Sequence, residues 1–280
     1  MRYLVAVSGG IDSVVLLDQL VKTGEHELIV AHFDHGIRDD SAADARFVKA
    51  LAAYYHLPFE STREELGWQA SEELARDRRY AFLREMAQKH QATIMTAHHA
   101  DDVIETIAIN LIRGTGWRGI AVMRSSDVVR PLLDMTKQQI RNYATENYLE
   151  WVEDSTNSSS DYLRNRVRQK IAAQMTDKVK RAVLAIWRKQ LDLRVPIEQE
   201  LRSYVKQDEY SRYYLTQIDD QVAAELLRVF VIASAKWGPT RPQLQRALIA
   251  IKTARPHTTY EIGSGVILRF TARTFIVETP

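Results

Sequence analysis

Leu4–Val5–Ala6–Val7–Ser8–Gly9–Gly10–Ile11–Asp12–Ser13–Val14–Val15–Leu16–Leu17 is the stretch whose reading decides the fold. Tyr3–Val7 is an apolar run of buried-strand length, and from Asp12 to Val21 the apolar residues Val14, Val15, Leu17 and Leu20 follow helical spacing. The six residues Ser8–Ser13 join the two. Two glycines there let the backbone take positive φ and approach a ligand closely. The N–H groups that open the helix, aided by its dipole, favour an anion. Ser8 and Ser13 add hydroxyl donors, and Asp12 is a candidate ligand for magnesium. A tight strand-to-helix turn with Ser and Asp as caps would use the same residues, so the loop alone leaves both readings open. It is not a Walker loop, because the chain contains no Gly–Lys dipeptide.

Working outward, strand-like and helix-like patterns alternate through the first ~150 residues. Leu28–Phe33 reads as a strand, Ser41–Tyr55 as a helix opened by a Ser cap, and Pro58–Thr62 as a short strand. A helix over Ala70–Lys89, a strand at Thr93–Ala97 and a helix over Asp101–Ile112 follow. This alternation predicts an α/β fold, a parallel sheet with helices on both faces, whose ligands sit beyond the carboxyl ends of the strands. After Trp151 the pattern changes. Glu153–Ser160 is a polar, Ser/Asn-rich loop or hinge, and helical patterns follow, clearest over Gln221–Ala235 with Val222, Leu226, Leu227, Phe230 and Val231 on one face. Strands at Thr259–Ile262, Val266–Phe270 and Thr274–Glu278 close the chain, with a turn at Gly263–Ser264–Gly265. The expected domains are residues 1–185 and a smaller helical and β-hairpin domain at 186–280.

The 280 residues carry 38 Lys+Arg, 36 Asp+Glu and no cysteine. Zero cysteine excludes disulfides, thiolate metal centres and a Cys nucleophile. The apolar N-terminal run is too short for a signal segment, and no stretch approaches the ~18 apolar residues of a membrane span, so a cytoplasmic location is expected. The near-neutral total conceals polarity: residues 164–194 hold ten Lys/Arg against Asp177 and Asp192. Such a run is most often a solvated helix face. With Trp187 nearby it also suits phosphate contacts and base stacking, and Arg241, Arg246, Lys252, Arg255 and His257 extend the basic character.

Other polar residues fall where the expected strands end. His32 and Asp34 alternate at the end of the second strand, and Asp101 and Glu105 lie i, i+4 on one helix face. Asp12, Asp101 and Asp102 would converge on a hard cation accompanied by phosphates, unless Asp101 or Asp102 only caps its helix. The pairs His32/His35 and His98/His99, beside Asp34, Asp101 and Asp102, admit a dinuclear metal phosphohydrolase as an alternative. Gly114–Thr115–Gly116–Trp117–Arg118–Gly119 fits a dinucleotide pattern, but it follows a helix rather than a strand and reads as a loop.

Ser-Gly-Gly-x-Asp-Ser after an N-terminal strand resembles the PP-loop of the N-type ATP pyrophosphatases. Further segments are similar to the tRNA(Ile)-lysidine synthetase family: His32–Arg38, Ala75–Tyr80, His98–Thr106, Gly114–Gly116, Arg130–Leu133, and Glu153–Asp154 leading to Arg164–Asn165–Arg166. They run in order over about residues 3–170. Val103 stands where the family usually has Gln, and the Glu153–Asn157 segment keeps the family pattern only approximately.

The resemblance implies an AMP-forming, ATP-dependent carbon–nitrogen ligase that converts the wobble cytidine of a CAU-anticodon tRNA(Ile) to lysidine. Its implied partners are that tRNA and free L-lysine, without a membrane, and a homodimer is compatible with it. ATP and Mg2+ are the implied co-substrate and cofactor. Ser8, Gly9, Gly10, Ile11, Asp12 and Ser13 would bind ATP; Asp12, Asp101, Asp102 and Glu105 would be catalytic, with Asp12 and Asp101 on the metal. His32, Arg76, Arg79, Arg164, Arg166 and Arg168 would contact substrate or tRNA. The C-terminal part resembles the family's first tRNA-binding domain, without the second found in longer members. A PP-loop thiolase would need cysteines, whereas a non-catalytic tRNA-binding protein would bind RNA without releasing pyrophosphate.

Overall fold

The computed structural model describes residues 1–36, 41–67, 71–153, 166–167, 170, 174–205 and 209–279, the side chains of Ser41 and Glu72 aside. It divides into two compact units, Met1–Arg188 and Lys189–Pro280.

The first unit is built on five parallel strands in the order β3-β2-β1-β4-β5. These are β1 (Arg2–Ala6), β2 (Glu27–Asp34), β3 (Phe59–Arg63), β4 (Thr93–Met95) and β5 (Val128–Val129). Helices α1 (Ile11–Thr23), α2 (Ser41–Tyr54), α3 (Glu72–His90), α4 (Ala100–Ile112) and α5 (Lys137–Glu146) lie between and after them. The period-two alternation of a strand divides the core into two layers. Val5, Leu28, Val30 and Met95 pack on one face with Val15, Leu16 and Leu17 of α1, Val48 of α2 and Ile140 of α5. Leu4, Ile29, Ala31, Phe33 and Ile94 pack on the other with Tyr80, Phe82 and Leu83 of α3. Both faces are covered, which is why β1 and β2 read as continuous apolar runs.

The chain builds outward from β1 through β2 to β3, then crosses back to β4 on the other side of β1. The loops after β1 and β4 therefore diverge at the switch point of the sheet, and a crevice opens there.

One buried carboxylate fastens α1 to its neighbours. Asp18 accepts hydrogen bonds from Tyr55 Oη at 2.8 Å and Tyr143 Oη at 2.7 Å, and Lys22 Nζ lies 2.9 Å away. Burial would raise the Asp18 pKa, but these donors together hold it below the ordinary carboxylate value.

The second unit packs helices against an antiparallel sheet in the order β6-β9-β8-β7. Its strands are β6 (Tyr210–Ser211), β7 (Thr259–Gly263), β8 (Val266–Phe270) and β9 (Thr274–Glu278). The long helix α6 (Asp177–Ser203) contains the division between the units, and α7 (Arg212–Gln217), α8 (Asp220–Ala235) and α9 (Arg241–Thr253) follow. On α8 the buried face is Ala223, Leu226, Leu227, Phe230 and Val231. Val222, expected on that face, is half exposed, because one residue is a 100° rotation and Ala223 takes the inward position.

Arg212 is the buried charge of this unit's described residues. Its guanidinium donates to the carbonyls of Ile251 at 2.8 Å, Ala254 at 2.6 Å and Thr271 at 2.8 Å. It thereby satisfies carbonyls at the end of α9, which lack acceptable partners within the helix.

No helix among the described residues is long and apolar enough to cross a membrane.

Candidate active site

The loop after β1 is held by its own hydroxyls. Ser13 Oγ donates to Gly10 O at 2.8 Å and receives the Ser8 N–H at 3.2 Å, while Ser8 Oγ receives the Gly10 N–H at 3.3 Å. Gly9 turns the chain at φ +94, a conformation that strains any residue with a Cβ, and its carbonyl accepts from Val152 N at 3.0 Å. Gly10 is the N-cap of α1 and offers no side chain there, so the helix opens without a side-chain cap. A bound anion is the partner such a terminus favours.

Across the switch point, Thr96–His99 carries the chain from β4 into α4. His99 is buried, and its N–H donates to Asp102 Oδ2 at 2.9 Å. Its ring lies among three carboxylates: Nε2 is 3.8 Å from Asp12 and 3.6 Å from Asp102, and Nδ1 is 3.9 Å from Asp101. Asp12, Asp101 and Asp102, 89 or more positions apart between loop and helix in the chain, do come together around this imidazole.

Two ammonium groups close the arrangement. Lys137 Nζ sits 2.5 Å from Asp12 Oδ1, and the Lys137 backbone N–H donates to Asp101 Oδ2 at 2.7 Å. Lys180 Nζ donates to Asp101 Oδ1 at 2.7 Å. Burial alone would raise the Asp101 pKa, but Lys180 and the Lys137 N–H outweigh it and hold the group below the ordinary carboxylate value. Sequence reading named neither lysine as a site residue. Thr136 and Gln139, a capping box at the start of α5, are the local signal that would have found the helix carrying Lys137.

Glu105 is one turn beyond Asp101 on α4 and almost fully buried. Val103, the family-divergent position, is fully buried in the core, so that difference does not alter the surface of the crevice.

His32 is buried at the end of β2, with Nδ1 2.8 Å from Val7 O, which ties it to the segment entering the loop. Asp34 accepts from Gly36 N at 2.9 Å and Arg63 Nη1 at 3.1 Å. Gly36 turns at φ +60 against Glu65, whose Cα would lie 2.9 Å from an added Cβ, so this turn too requires glycine.

Arg76 and Arg79 stand over the Tyr80 ring at 4.8 and 5.7 Å. His98, bonded to Thr96 Oγ1 at 2.8 Å, is drawn down to about 3. Burial is the main cause; Asp102 opposes it, and the charges of Arg130, Arg76 and Arg79 reinforce it. His98 is therefore a neutral ring beside a group of guanidinium ions.

The histidine pairs have separate engagements: His32 on Val7, His35 edge-on to Phe33, His98 on Thr96, and His99 among the aspartates. Among the described residues no group of three or more His, Asp or Glu is arranged to hold a metal ion. Arg166 is exposed, whereas Arg164 and Arg168 lie outside the described residues, as does Asp154. Trp187, read as a stacking residue, is instead 3% exposed, with its indole N–H on Val122 O at 3.0 Å. An apolar ring with one polar edge reaches a carbonyl by going inward, and it is unavailable to a base. Gly114–Gly119 follows α4 as a turn and a short 3-10 segment, with no helix N-terminus awaiting a pyrophosphate after a strand.

What the ends of β1 and β4 frame is a place for an anion, edged by carboxylates and ammonium groups at the switch of a parallel sheet; this is the class of phosphate-loop α/β domains. Residues 1–175 match the PP-loop domain family, more than half of the chain, and the chain belongs to that family. The tRNA(Ile)-lysidine synthase of Exiguobacterium sibiricum is 42% identical over 174 residues, which are 60% of this chain and 42% of that protein. The tRNA(Ile)-lysidine synthase of Thermotoga maritima is 38% identical over 186 residues, 62% of this chain and 45% of that protein. The chain thus spans less than half the length of these curated relatives. Among solved structures, a U34-tRNA thiolase from Methanococcus maripaludis is similar with a TM-score of 0.56, covering 69% of this chain and 72% of that one. At 16% identity that likeness is one of fold.

Proposed function

We propose that this protein uses ATP to convert the wobble cytidine of a CAU-anticodon tRNA(Ile) to lysidine. The observation that carries the reading is the meeting of the Ser8–Ser13 loop with Asp12, Asp101, Asp102 and Lys137 at the switch point. The relatives named tRNA(Ile)-lysidine synthase, similar over this same region, supply the substrate class.

In the proposed reaction the cytidine C2 oxygen attacks the α-phosphorus of ATP. A P–O bond forms, the α–β bridging bond breaks, and pyrophosphate leaves. An amine of free lysine then attacks C2, the C2–O bond breaks, AMP leaves, and the amine loses its proton. Adenylation turns a poor leaving oxygen into a good one. The role of Ser8, Gly9, Gly10, Ile11 and Ser13 is to hold the phosphates, with helix N–H groups directed at the charge that builds up during displacement. Asp102 and Glu105 remain candidates to orient the cytidine or the lysine ammonium, and His32, Arg76, Arg79 and Arg166 to steady AMP or tRNA.

Magnesium is compatible with this donor set through Asp12. Both Asp101 oxygens are engaged by Lys180 and Lys137, whereas among the described residues Asp12 pairs through Oδ1 and keeps Oδ2. One carboxylate plus substrate phosphates is an ordinary magnesium environment. When bound, the ion would draw charge from the phosphates.

The second unit suits a role in gripping RNA. A cleft of about 640 Å³ there is lined by Tyr213, Lys252 and Arg273, with Tyr213 and Tyr214 exposed. Cations with exposed rings match phosphates and bases.

The test is mass analysis of nucleosides from the tRNA transcript after incubation with protein, ATP and lysine. The expected product is cytidine plus lysine less one water at the wobble position. Unchanged cytidine, with RNA bound but no pyrophosphate formed, would favour a binding protein instead.

A further inference from the structure

The phosphate loop contains no lysine, and no Gly–Lys pair occurs in the chain. The fold nevertheless brings an ammonium to the loop. Lys137 Nζ lies 2.5 Å from Oδ1 of Asp12, in the first turn of α1, although 125 positions separate the two residues. Resting on the nucleotide reading above, we infer that Lys137 is the phosphate-binding cation of this loop: with ATP bound, its ammonium leaves Asp12 for the phosphate oxygens.

Three features of the molecule support this exchange. First, the base of the side chain is fixed. The Lys137 N–H is anchored on Asp101 at 2.7 Å, Ala100 N donates to Met135 O at 2.9 Å, and Thr136 caps α5. Helix α5 is in turn fastened to α1 through Tyr143 on Asp18 and Lys22 on Asn147, with Ile140 and Ala144 in the shared core. Such support holds a functional group in place without fixing its tip.

Second, the tip is accessible and mobile by chemistry. The Lys137 side chain is 34% exposed, and an ammonium on a four-carbon stem reorients at little cost. Third, the exchange balances charge. In the resting arrangement Lys137 neutralises Asp12; once the ammonium turns to a phosphate, the Asp12 carboxylate is released for a cation that accompanies the nucleotide. Lys180, 2.7 Å from Asp101, keeps the neighbouring carboxylate neutralised throughout.

A purely structural ion pair makes a different forecast. It would stabilise the fold and leave ATP and adenosine affinities alike. The experiment measures ATP and adenosine binding by calorimetry, with melting temperature and pyrophosphate release, in the wild-type chain and in Lys137→Ala and Lys137→Arg. The expected result for Lys137→Ala is about tenfold weaker ATP binding, unchanged adenosine binding, a melting temperature near wild type, and release slowed about 10²–10³-fold, the range for losing one charge-stabilising donor. Lys137→Arg should recover most of the ATP affinity, since it keeps the charge. Equal ATP affinity and release in Lys137→Ala would overturn the proposal alone. So would a parallel loss of ATP and adenosine binding accompanied by a lowered melting temperature. If the wild type binds no ATP, the nucleotide reading fails and the proposal fails with it.

Discussion

The two units differ in where they bury polar groups. In the first, Asp18 fastens α1, but Ser13, His32, Asp34, Thr96 and His99 are buried at or just beyond the carboxyl ends of β1, β2 and β4, with Glu105 one turn further along α4. In the second, Arg212 is the buried charge among the described residues, and all three of its hydrogen bonds serve backbone carbonyls. Buried polar groups are costly wherever they sit. In the second unit the cost is offset by completing the scaffold. In the first, His99 crowds among three aspartates, an arrangement that the proposed function assigns to a ligand rather than to the fold.

The distinction is sharpest at Asp12. Asp12→Asn should slow pyrophosphate release by at least about 100-fold, because it removes the charge beside the phosphates while leaving a side chain of equal size. Stability should change little. A variant that melts early but turns over normally would assign Asp12 to the scaffold and erase the contrast.

Arg212→Met tests the other unit. Three carbonyls lose a charged donor, and a destabilisation of about 2–4 kcal/mol is expected. Hydrogen exchange should show protection lost over residues 212–279 and retained over β1, α1 and β4. Equal losses in both would break the comparison.

The smallest effect concerns His98, whose ring stays neutral down to about 3 in the fold against 6.5 in the unfolded chain. Between those values the unfolded chain binds a proton that the folded chain refuses, so this group makes stability fall as pH drops from 6.5 towards 3. His98→Gln should remove that contribution, seen as about one proton less in the pH dependence of urea unfolding. An unchanged dependence would mean that the His98 ring is not buried in solution as it is here.

The sequence made the α/β alternation legible because β1, β2 and the α1 face are long and strongly patterned. Strand β5 was not legible: Val128–Val129 is two residues, and it is defined by pairing with Ile94 and Met95 rather than by any pattern of its own. Helix α5 was missed because, among its ten residues, only Ile140 and Ala144 are buried. At the site, the loop and the acidic residues could be read from local motifs. Lys137 and Lys180 could not, since their partners lie 125 and 79 positions away. Trp187 misled for a related reason: composition records that a ring is near basic residues, but not which way it points.

The central claim is that nucleotide phosphates are held between the ends of β1 and β4. Amide hydrogen exchange of the whole chain with and without ATP and magnesium tests it most directly. The account predicts slowed exchange centred on residues 8–14, with a smaller effect at the start of α4 and at Lys137. Protection centred instead on residues 114–119, or none in the 8–14 loop at saturating ATP, would contradict it.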